Sequence, residues 1–518
     1  MRTPRIAFLA LLGAVLVACS RPRLESEPAH SKERRAPNLI LMMTDQHRGD
    51  ALGCAGSPVR TPNLDRLASE GAFFRRAYSS TPSCTPARAA LLTGCSPWGH
   101  GMLGYSRVAE RYPNELPRML SNAGYTTHAI GKNHFHPQRH RHGYDVVELD
   151  ESGRVESEDF ISDYRIWFRE MAPDLDPDAT GIGWNDYRSG PYQLPEELHP
   201  TVWTADRAVA FLEDHEDDDK PFLLKISFAR PHSPYDPPAR WLDRYRDVDV
   251  PAARVGAWSE EANGSFHKPG AYTAARNNLG PEVTASSRRA YYANVSFLDE
   301  NIGRILRALE ATGQMQNTVL VFLSDHGDML GDHHLWRKTY AYEGSARIPM
   351  ILWWGSEVLE GAPRGRRRDE LVEIRDVLPT LLDAADVPVP DTVEGRSLFD
   401  LVRDVGSPWR EVLDLEHATC YWPENTWNAL TDARYKYIWF AKDGTEQLFD
   451  LEADPDEARD LAREPSYRAT LESWRRRLGE HLHVRGPMWT TRDRLPARRE
   501  NKILLGVNYP RPDGENGR

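Results

Sequence analysis

Four mostly apolar runs along the chain predict strands that are buried on both faces. These runs cover residues 38–44, 222–228, 319–324 and 350–354. Such runs are typical of the inner strands of an α/β sheet. Helical patterns lie between them: a start and a stop signal bound residues 61–71, and residues 288–309 carry apolar side chains at helical spacing. The pattern predicts an α/β fold in which helices sandwich one large mixed sheet.

The pattern changes near residue 395. Residues 435–440 and 447–451 read as two strands of a hairpin, and an arginine-rich helix follows around residues 467–481. We therefore predict a catalytic domain over residues 37–395 and a smaller C-terminal α+β subdomain over residues 396–518.

The N-terminus has the pattern of an export signal. Two arginines precede the apolar run 6–18, which is shorter than the about 20 residues that span a bilayer. The run ends in L-V-A-C, which resembles a bacterial lipobox and implies cleavage before Cys19 and a lipid anchor on its sulfur. We expect a lipoprotein-type signal peptide at 1–19, a polar tether at 20–36, and an exported lipoprotein of the cell envelope, periplasm or cell surface. A plain secretory signal with an incidental cysteine is the alternative.

Charge and cysteine content narrow the possible partners. The net charge of -12 argues against nucleic acid, because binding to phosphate requires a basic surface. It does not exclude an anionic substrate, because a pocket can be locally positive. Beyond the signal, the spacing of four cysteines predicts neither a disulfide framework nor a zinc site. These cysteines are Cys54, Cys84, Cys95 and Cys420.

An aspartate followed by a second polar residue comes directly after each of two apolar runs: Asp45-Gln46 and Asp325-His326. Ligands in open α/β sheets bind at the carboxyl ends of strands. Two carboxylates brought together there repel each other unless a cation lies between them. Oxygen ligands favour Ca²⁺, and the histidine leaves Mn²⁺ open. Each aspartate alone could cap a turn, but two matched pairs predict a metal site.

Cys84 lies in the segment S-C-T-P-A-R at residues 83–88. Pro86 suits the first turn of a helix, and Gly94 suits its end. Cys84 is therefore predicted at a helix N-terminus, where free backbone N–H groups favour an anion. Arg88 lies one turn further on the same face and can reach back. A buried structural cysteine is the alternative.

The C-x-P-x-R segment at residues 84–88, followed by its apolar helix and Thr-Gly, resembles the type I, formylglycine-dependent sulfatases. The resemblance covers residues 37–462 and includes Y-K-Y at 435–437 and L-F-D-L at 448–451. It implies an alkaline-phosphatase-like fold and an arylsulfatase-like hydrolase of sulfuric esters. It also implies a divalent metal, and a formylglycine that a formylglycine-generating enzyme makes from Cys84.

The resemblance assigns roles residue by residue. The implied metal ligands are Asp45, Gln46, Asp325 and His326. The implied catalytic residues are Cys84 as nucleophile, Arg88 and His134 at its hydrate, Lys132 and Lys338 on the sulfate, and His232 beside it. Lys132 and His134 lie in G-K-N-H, His232 lies in P-H-S-P, and Lys338 ends W-R-K. Each of these alone would be read as an ordinary polar residue, and their shared order carries the assignment.

In the implied mechanism, one hydroxyl of the hydrated aldehyde attacks sulfur and displaces the alcohol. His232 or Lys338 protonates that alcohol, and His134 takes a proton from the second hydroxyl as sulfate leaves. Gln46 and His326 depart from the pattern of many members, which have Asp and Asn there. This combination resembles a subgroup that also contains phosphonate monoester and phosphodiester hydrolases. That activity is the alternative, and a non-catalytic lipoprotein that binds sulfated glycan is a third hypothesis.

The sequence indicates the substrate less clearly than it indicates the catalytic residues. The run F-H-P-Q-R-H-R-H at 135–142 follows G-K-N-H, and its His136 and Arg139 predict a subsite for an anionic sugar. An exposed polar loop is the alternative. His199, with Trp98, His100 and Trp203, could also line a sugar site. We expect a sulfated carbohydrate or an aryl sulfate as substrate, and a lipid-anchored exported enzyme would suit the breakdown of sulfated polysaccharide.

Overall fold

The apolar run at residues 38–44 forms strand β1 (Asn38–Asp45) in the middle of the main sheet. Successive side chains of a strand point to opposite faces. Leu39, Leu41 and Met43 accordingly join one apolar cluster, and Ile40 and Met42 join another on the opposite face. The prediction of an inner strand buried on both faces is confirmed.

The computed structural model describes residues 35–511 except 152, 155, 217, 404–405, 492–493 and 500–502. The predicted signal peptide, the lipid anchor on Cys19 and nearly all of the tether lie outside the described residues. From Ala36 onward the chain groups into one compact unit, and the boundary at residue 395 stays a prediction. Among the described residues, no helix is both long and apolar enough to cross a membrane.

Within the described residues there are fifteen strands. After β1 they are β2 (Ala72–Phe74), β3 (Ala77–Tyr78), β4 (Thr126–Gly131), β5 (Val146–Leu149), β6 (Phe222–Pro231), β7 (Thr318–Ser324), β8 (Arg347–Ile348), β9 (Met350–Trp354), β10 (Arg366–Arg368), β11 (Val372–Glu373), β12 (Leu413–His417), β13 (Trp427–Thr431), β14 (Tyr435–Phe440) and β15 (Glu446–Asp450).

The same residues contain thirteen α-helices. They are α1 (Pro62–Glu70), α2 (Cys84–Thr93), α3 (Pro97–His100), α4 (Leu116–Asn122), α5 (Asp163–Met171), α6 (Pro200–Asp214), α7 (Ala239–Arg244), α8 (Ala257–Asn263), α9 (Pro281–Ala311), α10 (Glu343–Ala346), α11 (Val377–Ala384), α12 (Phe399–Arg403) and α13 (Arg468–Leu482).

The main sheet has eight strands in the order β10-β2-β9-β7-β1-β6-β4-β5. Neighbours are parallel except in the two pairs that involve β9, so β9 runs opposite to the other strands of this described sheet. Helices α2, α4, α11 and α12 pack on one face, and α1, α5, α6 and α9 pack on the other. The predicted large mixed sheet between two helical layers is confirmed.

The C-terminal part forms an antiparallel meander in the order β12-β13-β14-β15. One face of this sheet packs on α13 through residues such as Trp439 and Trp474. The other face packs on the loop after β7, where Ile438 and Phe449 join a cluster with Tyr340. The smaller α+β unit predicted from the hairpin pattern is confirmed as an element of the fold.

One local prediction differs from the structure. The helix predicted over residues 288–309 begins earlier, at Pro281, because proline is favoured at the first position of a helix. The basic run at residues 364–368 contributes edge strand β10. Arg366 and Arg367 are exposed there, and charged side chains are typical of a protected sheet edge.

Candidate active site

The carboxyl ends of four adjacent parallel strands supply the polar centre of the molecule. Asp45 ends β1, Asp325 follows β7, His232 follows β6 and Lys132 follows β4. Backbone bonds hold these ends together: His232 N donates to Asp45 O at 3.1 Å, and Lys132 N donates to Ser227 O at 2.8 Å. Side chains separated by hundreds of residues therefore meet at one edge of the sheet, as the sequence predicted.

Four buried side chains at this edge could hold a metal ion. The potential ligand atoms of Asp45, Cys84, Asp325 and His326 all lie within 4.8 Å of one another. His326 Nδ1 donates to Gly327 O at 2.9 Å, so Nε2 is the ring nitrogen that faces the cluster. Asp45 Oδ1 is buried and has no hydrogen-bond partner, so the residues fit a cation at this point. Burial lowers the pKa of His326, but Asp325 and the Cys84 sulfur outweigh burial and raise it.

Two cations already lie beside the carboxylates. Arg88 Nη2 lies 2.9 Å from Asp325 Oδ2 and 3.3 Å from Asp45 Oδ2, so it bridges the two carboxylates. Lys132 Nζ lies 2.6 Å from Asp45 Oδ2. Burial opposes ionisation of Asp45, but nearby positive charge, that of Lys132 foremost, holds its pKa well below the usual value. Asp45 therefore stays ionised, and Arg88 holds the two carboxylates in place.

Cys84 is the first residue of α2 and is 2% exposed. Its Sγ lies 3.2 Å from His326 Nε2. Burial and the Asp45 carboxylate raise the pKa of the thiol, but Lys338 and Lys132 outweigh them and lower it. The site around the sulfur is therefore positive enough to stabilise an anion at the start of the helix. The predicted position at a helix N-terminus agrees with the structure.

Lys338 and His232 form a pair on the other side of the centre. Lys338 Nζ donates to Gln46 Oε1 at 2.9 Å and lies 2.8 Å from His232 Nε2. His232 Nδ1 donates to Ser233 O at 2.9 Å, so Nε2 carries the lone pair and accepts from the ammonium of Lys338. Burial and the Lys338 charge hold the pKa of His232 well below its usual value. Trp184 stacks on the His232 ring at 3.7 Å.

His134 reaches the centre from the loop after β4. Its Nδ1 accepts from Arg154 Nε at 3.0 Å, and its backbone N donates to Glu151 Oε1 at 2.7 Å. Nε2 therefore carries the proton of the neutral ring, and this buried atom has no hydrogen-bond partner among the described residues. Burial, with Lys132 and Arg154, holds the pKa of His134 well below its usual value. Gly131 permits the turn before it: a Cβ there would lie 2.1 Å from Ser227 O.

The predicted substrate residues do not converge on this centre in the same way. Arg139 is exposed and pairs with Asp163 at 3.1 Å, and its Nη2 donates to Ile161 O. His136, three residues before it, is partly buried. His199 is fully buried, and its Nδ1 accepts from Thr201 N at the start of α6. Contact between His199 and the substrate stays a prediction, and its hydrogen bond at the start of α6 does not support it.

The aromatic candidates lie elsewhere in the packing. His100 and Trp203 are each 2% exposed, so neither presents a face to solvent. Trp98 packs edge-on against Trp489 at 5.5 Å. These residues contribute to the core around the site, and none contacts the polar centre directly in the bonds described for them.

Asp328 is a functional candidate that the sequence reading missed. Its Oδ2 accepts from Gln46 Nε2 and from Tyr235 OH, both at 2.6 Å. It thereby fixes the amide so that Gln46 Oε1 faces Lys338. The run D-H-G-D at residues 325–328 could have indicated Asp328, because it places a third carboxylate two residues after the proposed ligands Asp325 and His326.

Trp184 and His417 carry no sequence signal of that kind. Trp184 stacks on His232 and lies 4.2 Å from Lys132 Nζ, but it comes from an irregular loop. His417, in β12, lies 2.9 Å from Ser83 Oγ, immediately before the nucleophile position. The C-terminal sheet therefore touches the segment that positions Cys84.

Comparison with known proteins agrees with this geometry. The sulfatase family model matches residues 37–387, and the model of the N-sulphoglucosamine sulphohydrolase C-terminal region matches residues 331–483. An arylsulfatase of Clostridium perfringens is 38% identical over 92% of this chain and 98% of its own length.

Solved structures share the fold. A phosphonate monoester hydrolase of Agrobacterium radiobacter has a TM-score of 0.73 at 25% identity, over 87% of this chain and 96% of that chain. A protein solved with its substrate D-glucosamine-2-N,6-O-disulfate has a TM-score of 0.67 at 23% identity, over 86% of this chain and 98% of its own.

The chain belongs to the sulfatase family, and its fold is alkaline-phosphatase-like. It is a sulfatase, an arylsulfatase-like enzyme that hydrolyses sulfate esters. The predictions of family, fold class and enzyme activity are confirmed. The family also implies a metal and a formylglycine, and the buried Asp45, Cys84, Asp325 and His326 cluster fits the metal.

Proposed function

We propose that this sulfatase works through a formylglycine made from Cys84, with Ca²⁺ bound by Asp45, Gln46, Asp325 and His326. The observation that carries this proposal is the convergence of Cys84 with three ligand atoms within 4.8 Å. A bound divalent ion would supply Lewis-acid chemistry, lowering the pKa of a coordinated hydroxyl and offsetting charge on the sulfate. A hydrated aldehyde offers two hydroxyls on one carbon, one to attack sulfur and the other to release sulfate. Mn²⁺ remains a candidate because of His326.

Two lysines are suited to hold the sulfate. Lys132 and Lys338 approach the Cys84 position from the ends of different elements, and both lower the pKa of that thiol. Positive groups fixed before substrate arrives stabilise charge that develops on the sulfate oxygens. Arg88 keeps the two carboxylates in place through its bonds to Asp45 and Asp325.

We assign proton donation to the leaving alcohol to Lys338. His232 is held neutral with its Nε2 lone pair toward the Lys338 ammonium, so within this pair the lysine carries the proton. His232 would orient that ammonium toward the bridging oxygen. A donor placed there contributes about 10²- to 10⁴-fold to rates of this type.

The role of His134 depends on which of its ring nitrogens carries the proton. With Nδ1 occupied by Arg154, its Nε2–H can donate to a hydroxyl at Cys84 and orient it. To act as the base that the resemblance assigns, the ring would first have to move that proton. A His134→Gln variant, which retains an N–H donor, separates these roles: high residual activity would support orientation, and activity as low as that of His134→Ala would support the base.

The substrate is proposed to be an aryl sulfate or a sulfated carbohydrate. The arylsulfatase relative supports the first class, and the structure solved with a glucosamine disulfate supports the second. Hydrolysis of phosphonate monoesters or phosphodiesters is the second candidate activity, because Gln46 and His326 replace the more common Asp and Asn. The phosphonate monoester hydrolase with a similar fold supports this second activity.

One experiment tests these points together. The protein is produced with and without a co-expressed formylglycine-generating enzyme, and the peptide that contains Cys84 is weighed by mass spectrometry. The values of kcat/KM are then compared for 4-nitrophenyl sulfate, phenyl phosphonate esters and bis(4-nitrophenyl) phosphate. Active protein with an unmodified thiol at Cys84 would overturn the nucleophile. A higher kcat/KM for phosphonate than for sulfate would reverse the order of the activities.

We also propose that the chain is exported, cleaved before Cys19 and lipidated there, and that membrane contact occurs only through that lipid. The L-V-A-C motif supports this proposal. An intact N-terminal mass for purified protein gives the test. A lipid-bearing Cys19 terminus is expected, and a Cys19→Ser variant should leave the membrane fraction. Cleavage elsewhere without lipid would favour the plain secretory signal.

A further inference from the structure

A second cavity lies between the C-terminal sheet and α8. It holds about 850 Å³, which is in the range of pockets that take small molecules. Aromatic rings form much of its wall, and Arg276 reaches it from the loop before α9. We call it the Arg276 cleft; its aromatic walls include Trp258, Tyr340, Tyr342, Trp422, Trp427 and Phe440.

Arg276 places a positive charge in the wall of the cleft. Its guanidinium lies 3.5 Å from the Phe266 ring centroid and 4.9 Å from that of Trp422. Within the described part of the chain it forms no ion pair, and its side chain donates no hydrogen bond. Burial lowers the pKa of this guanidinium. A partly desolvated cation of this kind gains most from an anionic ligand.

The carboxylates around the cleft do not all compete for that cation. Glu446 is held by Arg475 Nη2 at 2.6 Å, and Asp460 accepts from the backbone N–H groups of Leu448 and Ala462. Three exposed carboxylates remain around the cleft, where they can accept hydrogen bonds from hydroxyl groups: Glu261, Glu424 and Asp443. Of these, Glu424 is near enough to oppose the effect of burial on the pKa of Arg276. Flat apolar rings, the Arg276 guanidinium and hydroxyl acceptors together match a sugar ring that carries a negative charge.

The cleft is continuous with the catalytic centre along the chain. Lys338 contacts His232, and Tyr340, two residues further, lines the cleft, so their Cα atoms are at most about 7 Å apart. Trp427 Nε1 donates to the intervening Thr339 O at 2.9 Å and fixes that step. From Tyr340 the rings continue to Trp422 at 5.7 Å. The wall of the cleft therefore begins within two residues of Lys338 along the chain.

We propose that the Arg276 cleft binds an anionic sugar residue, a uronate or a second sulfated sugar, of the same oligosaccharide whose sulfate ester lies at Cys84. This inference rests on the proposed carbohydrate substrate and adds a subsite to it. Arg276 pairs with the carboxylate or sulfate, and Trp422 packs on the sugar ring. The cleft thus selects the neighbouring residue in the chain, while the catalytic centre selects the sulfate ester.

The test compares substrates within one enzyme. The wild-type protein and Arg276→Met are assayed with 4-nitrophenyl sulfate and with three sulfated disaccharides, whose second ring is a uronate, a sulfated sugar or a neutral sugar. For Arg276→Met, the ratio of kcat/KM on the acidic disaccharides to that on 4-nitrophenyl sulfate should fall about 10- to 100-fold, through KM. The ratio for the neutral disaccharide should change less than threefold. The larger loss between the two acidic arms identifies the preferred anion.

Arg364→Met is the matched control, because Arg364 also stacks on a tryptophan, at 5.0 Å from Trp354, but lies away from the cleft. Arg276→Lys keeps the charge and should retain most of the preference for acidic disaccharides. Equal losses on all substrates, or no loss on any, would overturn the subsite. Calorimetric binding of the acidic disaccharides to Cys84→Ala, with and without Arg276→Met, tests the cleft without turnover. Wild-type protein that cleaves no sulfate ester would instead overturn the proposed function.

Discussion

The catalytic centre and the Arg276 cleft are neighbours along the chain, yet their charges are satisfied in opposite ways. At the centre, Arg88 and Lys132 are paired with buried carboxylates at 2.6–3.3 Å. In the cleft, the Arg276 guanidinium lies against the rings of Phe266 and Trp422 and forms no ion pair among the described residues. The centre is therefore complete before substrate binds, apart from a cation, whereas the cleft is completed by its ligand.

This difference indicates how the two regions divide the work. Strand ends fix the centre, and each polar group there restrains another. A single substitution in the centre should therefore lower the rate of the catalysed reaction. Loops and the C-terminal sheet form the cleft, so a substitution there should disturb affinity for particular substrates. Losses in kcat at the first region and in KM at the second would support this division.

The largest effect is expected from Cys84→Ala. Removing the nucleophile should lower kcat/KM on 4-nitrophenyl sulfate by about 10⁴-fold or more, since binding groups alone cannot replace it. The circular dichroism spectrum should be unchanged. Cys95→Ala is the control, because Cys95 is also buried and its thiol donates to the carbonyls of Thr93 and Thr392, away from the centre. Turnover by Cys84→Ala near the wild-type rate would remove the basis for the assigned centre.

Lys338→Met should give the next largest loss, and the loss should depend on the leaving group. Poor leaving groups such as alkyl alcohols need a proton, so their rates should fall about 10²- to 10⁴-fold, and 4-nitrophenyl sulfate should lose less. A plot of log kcat/KM against leaving-group pKa should become steeper. Arg337→Met, at the adjacent position, should lower kcat/KM by the same factor for all substrates, whatever their leaving group. A slope that Lys338→Met leaves unchanged would assign the proton to another group.

Asp328→Asn should weaken metal binding about 10- to 100-fold through Gln46, because the amide loses its carboxylate partner. Titration of metal into chelator-treated protein gives the affinity, and turnover should recover at high metal concentration. Tyr235→Phe removes the other bond to the same oxygen and should have a smaller effect. Activity that stays low at saturating metal would mean that Asp328 acts on the chemistry directly.

The smallest effect concerns stability at acid pH. Burial lowers the pKa of His417 to about 4, whereas an unfolded histidine titrates near about 6.5. Between these values the unfolded chain takes up a proton that the native chain does not, so the free energy of unfolding falls as pH decreases. The slope is about 1.4 kcal/mol per pH unit for each such proton. Urea midpoints from pH 7 to 4 should show a shallower slope in His417→Asn, and an identical slope would contradict burial of the neutral ring.

Much of the centre could be predicted because its residues follow strong local patterns. The apolar runs 38–44 and 319–324 identify inner strands, and polar residues directly after such strands meet at the sheet edge. Cys84 was recognisable from a proline and a glycine that bound its helix. These signals lie within a few residues of the side chains they position.

The remaining features depend on contacts between distant segments that have no periodic pattern. Trp184 comes from an irregular loop, and Arg276 lines the cleft only because the C-terminal sheet packs opposite it. The tautomer of His134 is set by Arg154, twenty residues away. His136 and Arg139 had the composition of an anion subsite, but Asp163 already neutralises Arg139. Composition near a motif is therefore not enough to locate a subsite.

The burial of Cys84 constrains the order of events during biosynthesis. The residue is 2% exposed, and every residue of its helix is buried. An enzyme that made the proposed formylglycine would need access to the surrounding segment, which the finished fold denies. The proposed oxidation would therefore have to precede closure of the sheet and helix layers around Cys84. Under that proposal, cells that fold the chain faster than they oxidise it would accumulate well-folded protein that no later treatment with the maturation enzyme can activate.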